Sequence, residues 1–238
     1  MANRAESLPV NPRLAQSAHS PKWLASIGKL TIPTRKWQNR EFQHSNEHCS
    51  ASLIAPQAAR VSTRIVTAWH CLEYYSDLSR PISFLLTRLN GVELTREARI
   101  FIDGGDMDRD WAVLSLSKPI SLDGMSVLSH SASGLSLLAE PDAAITVAGY
   151  SGDSGLGQNG DRLTYQENCQ SGARTKNSIS VNCVAHKGAS GGPAVVTVQE
   201  EESLVHYLAG IISQGNGVDT SILIGGDSFS RAILQAWN

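Results

Sequence analysis

Three residues with complementary chemistry stand far apart in this 238-residue chain. His70 lies in Thr67-Ala68-Trp69-His70-Cys71, Asp110 opens Asp110-Trp111-Ala112-Val113-Leu114, and Ser190 lies in Gly188-Ala189-Ser190-Gly191-Gly192-Pro193. A serine hydroxyl is a weak nucleophile near neutral pH. It becomes effective when an imidazole takes its proton and a carboxylate holds that imidazole in one tautomer. The glycines beside Ser190 add a second element. Gly188, lacking a side chain, lets its backbone N–H turn with that of Ser190 toward one point, where it can stabilise charge on an attacked carbonyl oxygen. The candidate set is therefore His70, Asp110 and Ser190, with the N–H groups of Gly188 and Ser190 as an oxyanion hole.

Each member has competitors. Gly152-Asp153-Ser154-Gly155 imitates the nucleophile motif but lacks the second glycine and the proline, so Ser154 reads as a turn residue. The Gly188-x-Ser190-x-Gly192 spacing also matches the nucleophile elbow of α/β hydrolases, which needs Asp and His downstream. Only 48 residues follow Ser190, without βαβ alternation, which excludes that reading. His186 is the closest rival to His70 and reads as a pocket or surface residue. Asp103, Asp106 and Asp108 share an acidic loop with Asp110, but only Asp110 adjoins an apolar run that would bury it.

The three motifs, in the order His, Asp, Ser across Cys49 to Gly215, resemble those of the chymotrypsin/trypsin serine protease superfamily, and most closely its bacterial glutamyl-endopeptidase-like branch. The resemblance implies an all-β fold of two packed six-stranded antiparallel barrels with a short C-terminal helix. It also implies serine endopeptidase activity through an acyl-enzyme on protein or peptide substrates. A catalytically silent binding protein of the same fold, or an esterase using the same residues, are the alternatives. Ala189 departs from the pattern of vertebrate relatives, which carry an aspartate there to receive a newly cleaved N-terminal amine. No such switch is expected here. By the motif register Ser213 would donate to Asp110, while Ser213, Gln214 and Gly215 would pair with an extended substrate, Gly215 leaving the primary pocket open. Val184 would form the base of that pocket, with Lys187 and His186 at its rim. No acid stands there to select Arg or Lys; cations at the rim could favour Glu or Asp, but Ile212 replaces the histidine of glutamyl-specific relatives, so apolar or small side chains are expected at the cleaved position.

Four cysteines allow three pairings, and spacing alone leaves them open. The resemblance implies Cys49 with Cys71, pinning the histidine loop, and then Cys169 with Cys183 ahead of Ser190. No close C-x2-C pair suggests zinc, and neither a metal nor a cofactor is expected. Disulfides imply an oxidising compartment, while Met1 to Ser7 shows no apolar segment of a signal peptide. The expectation is a secreted or periplasmic protein whose signal peptide has been removed.

The elements that must position these residues read as short strands. Apolar runs recur at 24–30, 52–55, 63–67, 82–86, 98–102 and 111–116, then at 144–150, 163–166, 179–184, 194–198, 207–213 and 220–224, with turn signals such as Asn90-Gly91 between them. This predicts an N-terminal arm or pro-segment remnant over 1–22 and a protease domain over 23–238. Within the domain, barrel one covers about 23–118, a connection about 119–141, barrel two about 142–226 and a helix about 228–237, with Asp227-Ser228 as its cap. The loop 151–161, with four glycines, is expected to be mobile. A hydrophobic content of 41% supports a core, and no apolar run reaches the length of a membrane span. The net charge of −2, from 20 basic and 22 acidic residues without clustering, offers no footprint for nucleic acid. The chain is expected to act as a monomer.

Overall fold

In the computed structural model, residues 11–237 other than Gln57 and Leu89 are described. The strands are β1 (Leu14–Ala15), β2 (Ile27–Gln38), β3 (Glu41–Ile54), β4 (Val61–Thr67), β5 (Ile82–Thr87), β6 (Glu93–Asp103), β7 (Ala112–Ser121) and β8 (Ser129–His130). They continue with β9 (Ala144–Gly149), β10 (Thr164–Cys169), β11 (Ser171–Arg174), β12 (Ser178–Val181), β13 (Pro193–Glu200), β14 (Ser203–Gly215) and β15 (Ser221–Gly225). Two short α-helices complete the set, α1 (Gly134–Leu138) and α2 (Ser230–Trp237).

Strands β2 to β7 close into a six-stranded antiparallel barrel in the order β2-β3-β4-β7-β6-β5. Strict alternation drives this: along Ile82–Thr87 every second residue is buried, the period of a strand with one face on a core. The remaining strands form a nine-stranded sheet, β1-β10-β9-β13-β14-β15-β12-β11 with β8 beside β14. The all-β architecture and the C-terminal helix are as expected. The second unit differs in that its hydrogen bonding is open, a half-barrel curling around its own core rather than a closed six-stranded barrel. A separate cluster containing Trp23, Val66, Trp111, Val113, Tyr150, Val195, Ile211 and Phe229 glues barrel to sheet.

Three elements depart from the sequence reading for identifiable reasons. The β2–β3 hairpin runs unbroken from Ile27 to Ile54, although its outer half is polar and exposed and shows no apolar alternation. Backbone pairing carries it, helped at the tip by Trp37 edge-on to Phe42 at 4.8 Å and by Arg35 over the Phe42 ring. Residues 24–26, expected to begin a strand, instead end a 3-10 turn over Lys22–Ser26 whose Trp23 and Leu24 are buried. Asp227 does not cap the C-terminal helix. Its carboxylate accepts the N–H of Leu135 and so satisfies the start of α1, 92 residues earlier.

Candidate active site

Strand β4 ends at Thr67, and the chain tightens at once into a 3-10 turn over Trp69–Cys71 that presents His70. The Cys49–Cys71 disulfide ties this turn to β3, and the Cys169–Cys183 disulfide joins β10 to the segment leading to Ser190. Cys49, His70 and Cys71 lie close enough to suggest a metal site, but the two sulfurs are bonded to each other and only the imidazole is left as a donor.

Asp110 is fully buried at the mouth of β7. A buried carboxylate needs donors, and Asp110 has three. Its Oδ1 accepts the backbone N–H of His70 at 2.8 Å, and its Oδ2 accepts His70 Nδ1 at 2.8 Å and the Ser213 hydroxyl. Because the carboxylate only accepts, the proton of a neutral His70 belongs on Nδ1 and the Nε2 lone pair faces the cleft. Asp103, Asp106 and Asp108 take no part in this contact, and Asp106 instead closes the turn through the N–H and guanidinium of Arg109.

Ser190 faces the same cleft from the second sheet, and both residues line a cavity of about 230 Å3 with Thr34, Glu47, His48, Tyr74 and Lys187. Among the described residues its hydroxyl makes no hydrogen bond to His70 Nε2, a contact that free enzymes often close only on binding substrate. The backbone around it is held on every side. The Ser190 carbonyl accepts the N–H of Ser50 at 2.8 Å, Gly191 N–H donates to Ile212 O at 2.7 Å, and Gly192 N–H donates to Ala189 O at 2.9 Å. Gly188 has φ of 96°, and a Cβ there would lie 2.5 Å from Tyr150 O, so glycine is required. Its carbonyl accepts the Ser50 hydroxyl at 2.8 Å, while the preceding Lys187 carbonyl accepts Gly152 N–H at 2.6 Å. Across a trans peptide the N–H opposes the C=O, so the Gly188 N–H is turned away from Gly152. Among the described residues neither the Gly188 nor the Ser190 N–H has an acceptor. Two free donors next to a hydroxyl can stabilise an anion on a bound carbonyl oxygen.

Beyond Ile211 the β14 edge leaves β13, and Gln214 and Gly215 are exposed, paired as strand with β15. Such an edge can accept an extended peptide by strand addition. Val184 is buried and its N–H donates to Gln166 Oε1 at 2.9 Å. A Cβ at Gly215 would collide with the Ala185 carbonyl, and Gly217 N–H donates to that same oxygen at 3.2 Å, so the 185 and 215–217 segments meet directly. The His186 ring packs on Gly217. Its pKa is lowered, first by burial and then by the nearby Arg13 charge. Lys187 is 82% exposed and ion-pairs with Glu47 at 3.2 Å. Ser154 is exposed in the loop between β9 and β10.

Several residues escape the motif reading. Ser50 bridges the two halves of the molecule, since its hydroxyl also accepts the Tyr150 N–H at 2.8 Å. Its position one residue after Cys49 was the only available signal. Arg13, buried in the N-terminal arm, makes a two-pronged ion pair with Asp153 at 2.8 and 2.9 Å. Glu47 and His48, on the overlooked outer half of β3, wall the cavity beside Ser190.

The Trypsin family model matches residues 31–226. Among solved structures, the scabies mite inactivated protease paralogue S-D1 superposes with a TM-score of 0.66 at 15% identity, covering 95% of this chain and 97% of its own. At that identity the likeness speaks for the fold alone. No curated protein sequence matches the chain. With a trypsin domain filling most of its length and the corresponding all-β architecture around the site, the chain belongs to the trypsin family of serine proteases.

Proposed function

We propose that the protein is a serine endopeptidase that cleaves peptide bonds through Ser190, His70 and Asp110. One observation carries the reading: a buried carboxylate fixes the His70 tautomer while two backbone N–H groups without acceptors flank Ser190 on the same cleft. A peptide lying along Gln214 and Gly215 presents its carbonyl carbon to Ser190 Oγ, and His70 Nε2 takes the hydroxyl proton as the bond forms. The carbonyl oxygen becomes an anion held by the Gly188 and Ser190 N–H groups. His70 then donates its proton to the departing amine, leaving an acyl-serine. Water, deprotonated by His70, releases the acid and restores the hydroxyl. Asp110 stays ionised throughout, and the Ser213 hydroxyl and His70 N–H keep its charge satisfied.

The direct contact of Gly215 with Ala185 and the apolar Val184 support a primary pocket for small or apolar side chains. Assignment to the bacterial glutamyl-endopeptidase-like branch rests on the motifs. Export rests on the two disulfides, and no helix among the described residues is long and apolar enough to cross a membrane.

A second reading, a silent protease-like binding protein, is favoured by the absence, among the described residues, of a hydrogen bond between Ser190 Oγ and His70 Nε2. A fluorophosphonate probe and casein digestion separate the two. The proposal expects Ser190 to be labelled and casein to be cut, with Ser190→Ala and His70→Ala each losing turnover and the double variant little worse than either. Hydrolysis surviving in Ser190→Ala refutes it, an unlabelled wild type supports the binding protein, and label without digestion points to an esterase.

A further inference from the structure

The N-terminal arm holds a charge that the proposed chemistry does not use. Arg13 is only 5% exposed, although a guanidinium is costly to remove from water without a partner. Its Nη1 and Nη2 donate to Asp153 Oδ1 and Oδ2 at 2.8 and 2.9 Å across 140 residues, and its Nε donates to Asn11 Oδ1 at 3.2 Å. The arm is docked around this pair. Leu14 and Ala15 pair antiparallel with Tyr165 and Thr164, and Gln16 N–H donates to Leu163 O at 2.9 Å.

Asp153 belongs to the glycine-rich loop between β9 and β10, and the ion pair organises it. Asp153 Oδ2 also accepts Gly157 N–H at 3.2 Å, and the Asp153 carbonyl accepts Asn159 N–H at 2.9 Å. The loop expected to be mobile is thus tied near its start to the arm. Its next residue back, Gly152, donates its N–H to Lys187 O at 2.6 Å. That bond sets the plane of the Lys187–Gly188 peptide, and with it the direction of the Gly188 N–H. Ala189 has no side-chain acceptor or donor of its own to hold this segment.

We propose that Arg13 is a positioning residue for the oxyanion hole: through Asp153 and the Gly152–Lys187 hydrogen bond it keeps the Gly188 N–H turned toward the cleft beside Ser190. A single peptide rotation would replace that donor by the Lys187 carbonyl, an acceptor that repels the developing anion. The glycine-rich stretch 151–161 has little intrinsic resistance to such motion, and the two-pronged guanidinium contact supplies it. The arm is then part of the working domain, and its loss or displacement lowers activity without touching His70, Asp110 or Ser190. The inference rests on the reading of Gly188 as an oxyanion donor.

The test uses the full chain with Arg13→Ala, Arg13→Lys and the exchanged pair Arg13→Asp/Asp153→Arg. Each is followed by steady-state hydrolysis of a peptide substrate and by hydrogen exchange of the segments 150–161 and 185–190. Loss of one oxyanion donor costs about 10²–10³-fold in kcat. Arg13→Ala is expected to lose roughly 10–100-fold of kcat, with KM within about threefold, because the donor acts on the transition state. Faster exchange in both segments should accompany the loss, Arg13→Lys should recover part of it, and the exchanged pair should recover more than Arg13→Ala alone. Wild-type kcat together with unchanged exchange in 185–190 for Arg13→Ala overturns the proposal. If Arg13→Ala does not fold, Arg13→Lys decides, and a folded Arg13→Lys with wild-type kcat and unchanged exchange in 150–161 and 185–190 overturns it. A wild type without hydrolysis counts against the proposed function, whereas exchange in 185–190 still reports on the Arg13 linkage.

Discussion

Ser50 and Ser52 offer a paired test of how the two halves of the molecule are joined at the site. Both lie on β3, both are fully buried, and they are two residues apart. The Ser50 hydroxyl accepts Tyr150 N–H and donates to Gly188 O, each at 2.8 Å, whereas the Ser52 hydroxyl has no partner among the described residues. Ser50→Ala removes one atom and strands two backbone groups. A buried polar group without a partner costs about 1–3 kcal/mol. Two such groups, one bordering the cleft where water can reach it, give a loss of roughly 2–4 kcal/mol. For a chain of this size that is a fall in melting temperature of roughly 5–15 °C. Activity should fall as well, because the Gly188 carbonyl loses its anchor. Ser52→Ala, by contrast, removes an unpaired hydroxyl and should be neutral or slightly stabilising. Thermal and urea unfolding of both variants, with kcat alongside, measure the difference. Equal stability of Ser50→Ala and Ser52→Ala refutes the reasoning.

Two further outcomes follow from the same geometry. Asp153 has its pKa lowered from 3.8 to about 2, chiefly by the hydrogen bond from Arg13. A depressed carboxylate stabilises the fold fully above its unfolded value and loses that contribution as the pH falls, so about 2 kcal/mol should vanish between about pH 4 and pH 2. Urea melts at the two ends of that window should show Asp153→Asn losing less stability than wild type, and parallel losses would contradict the assignment. Gly188→Ala places a side chain at φ of 96° and 2.5 Å from Tyr150 O. Strain of about 1–3 kcal/mol is expected, relieved by turning the peptide and lowering kcat about 10²–10³-fold. Unchanged kcat in a folded variant would argue against the Gly188 N–H as an oxyanion donor.

Short-range signals make much of the fold legible. Only β5 alternates buried and half-buried residues, whereas β4, β7, β9 and β13 carry short apolar, β-branched runs of strand length, and both signals are local, which is why these strands stand near the expected runs. The exposed half of the β2–β3 hairpin carries no such pattern, because its residues face solvent on both sides and only backbone pairing holds them. The short strands β1 and β11 exist because a neighbouring edge is available, a fact outside their own residues. Asp227, a plausible cap by local spacing, is captured by Leu135 once α1 packs against it.

The same division runs through the site. The amino-acid sequence by itself determined which residue types are present for acyl transfer, His70, Asp110 and Ser190 in glycine-bearing surroundings, and the local turns that suit them. Only the tertiary structure decided that Asp110 is closed off by His70 and Ser213, that Ser50 and not Ser52 bridges the two halves, and that Arg13 reaches Asp153. It also decided that Gly215 lies directly against Ala185. The physical reason is range. Periodicity and turn chemistry act over a few neighbouring residues, whereas hydrogen-bond and steric complementarity between segments some 30 to 140 residues apart exists only after the barrel and the open sheet have docked.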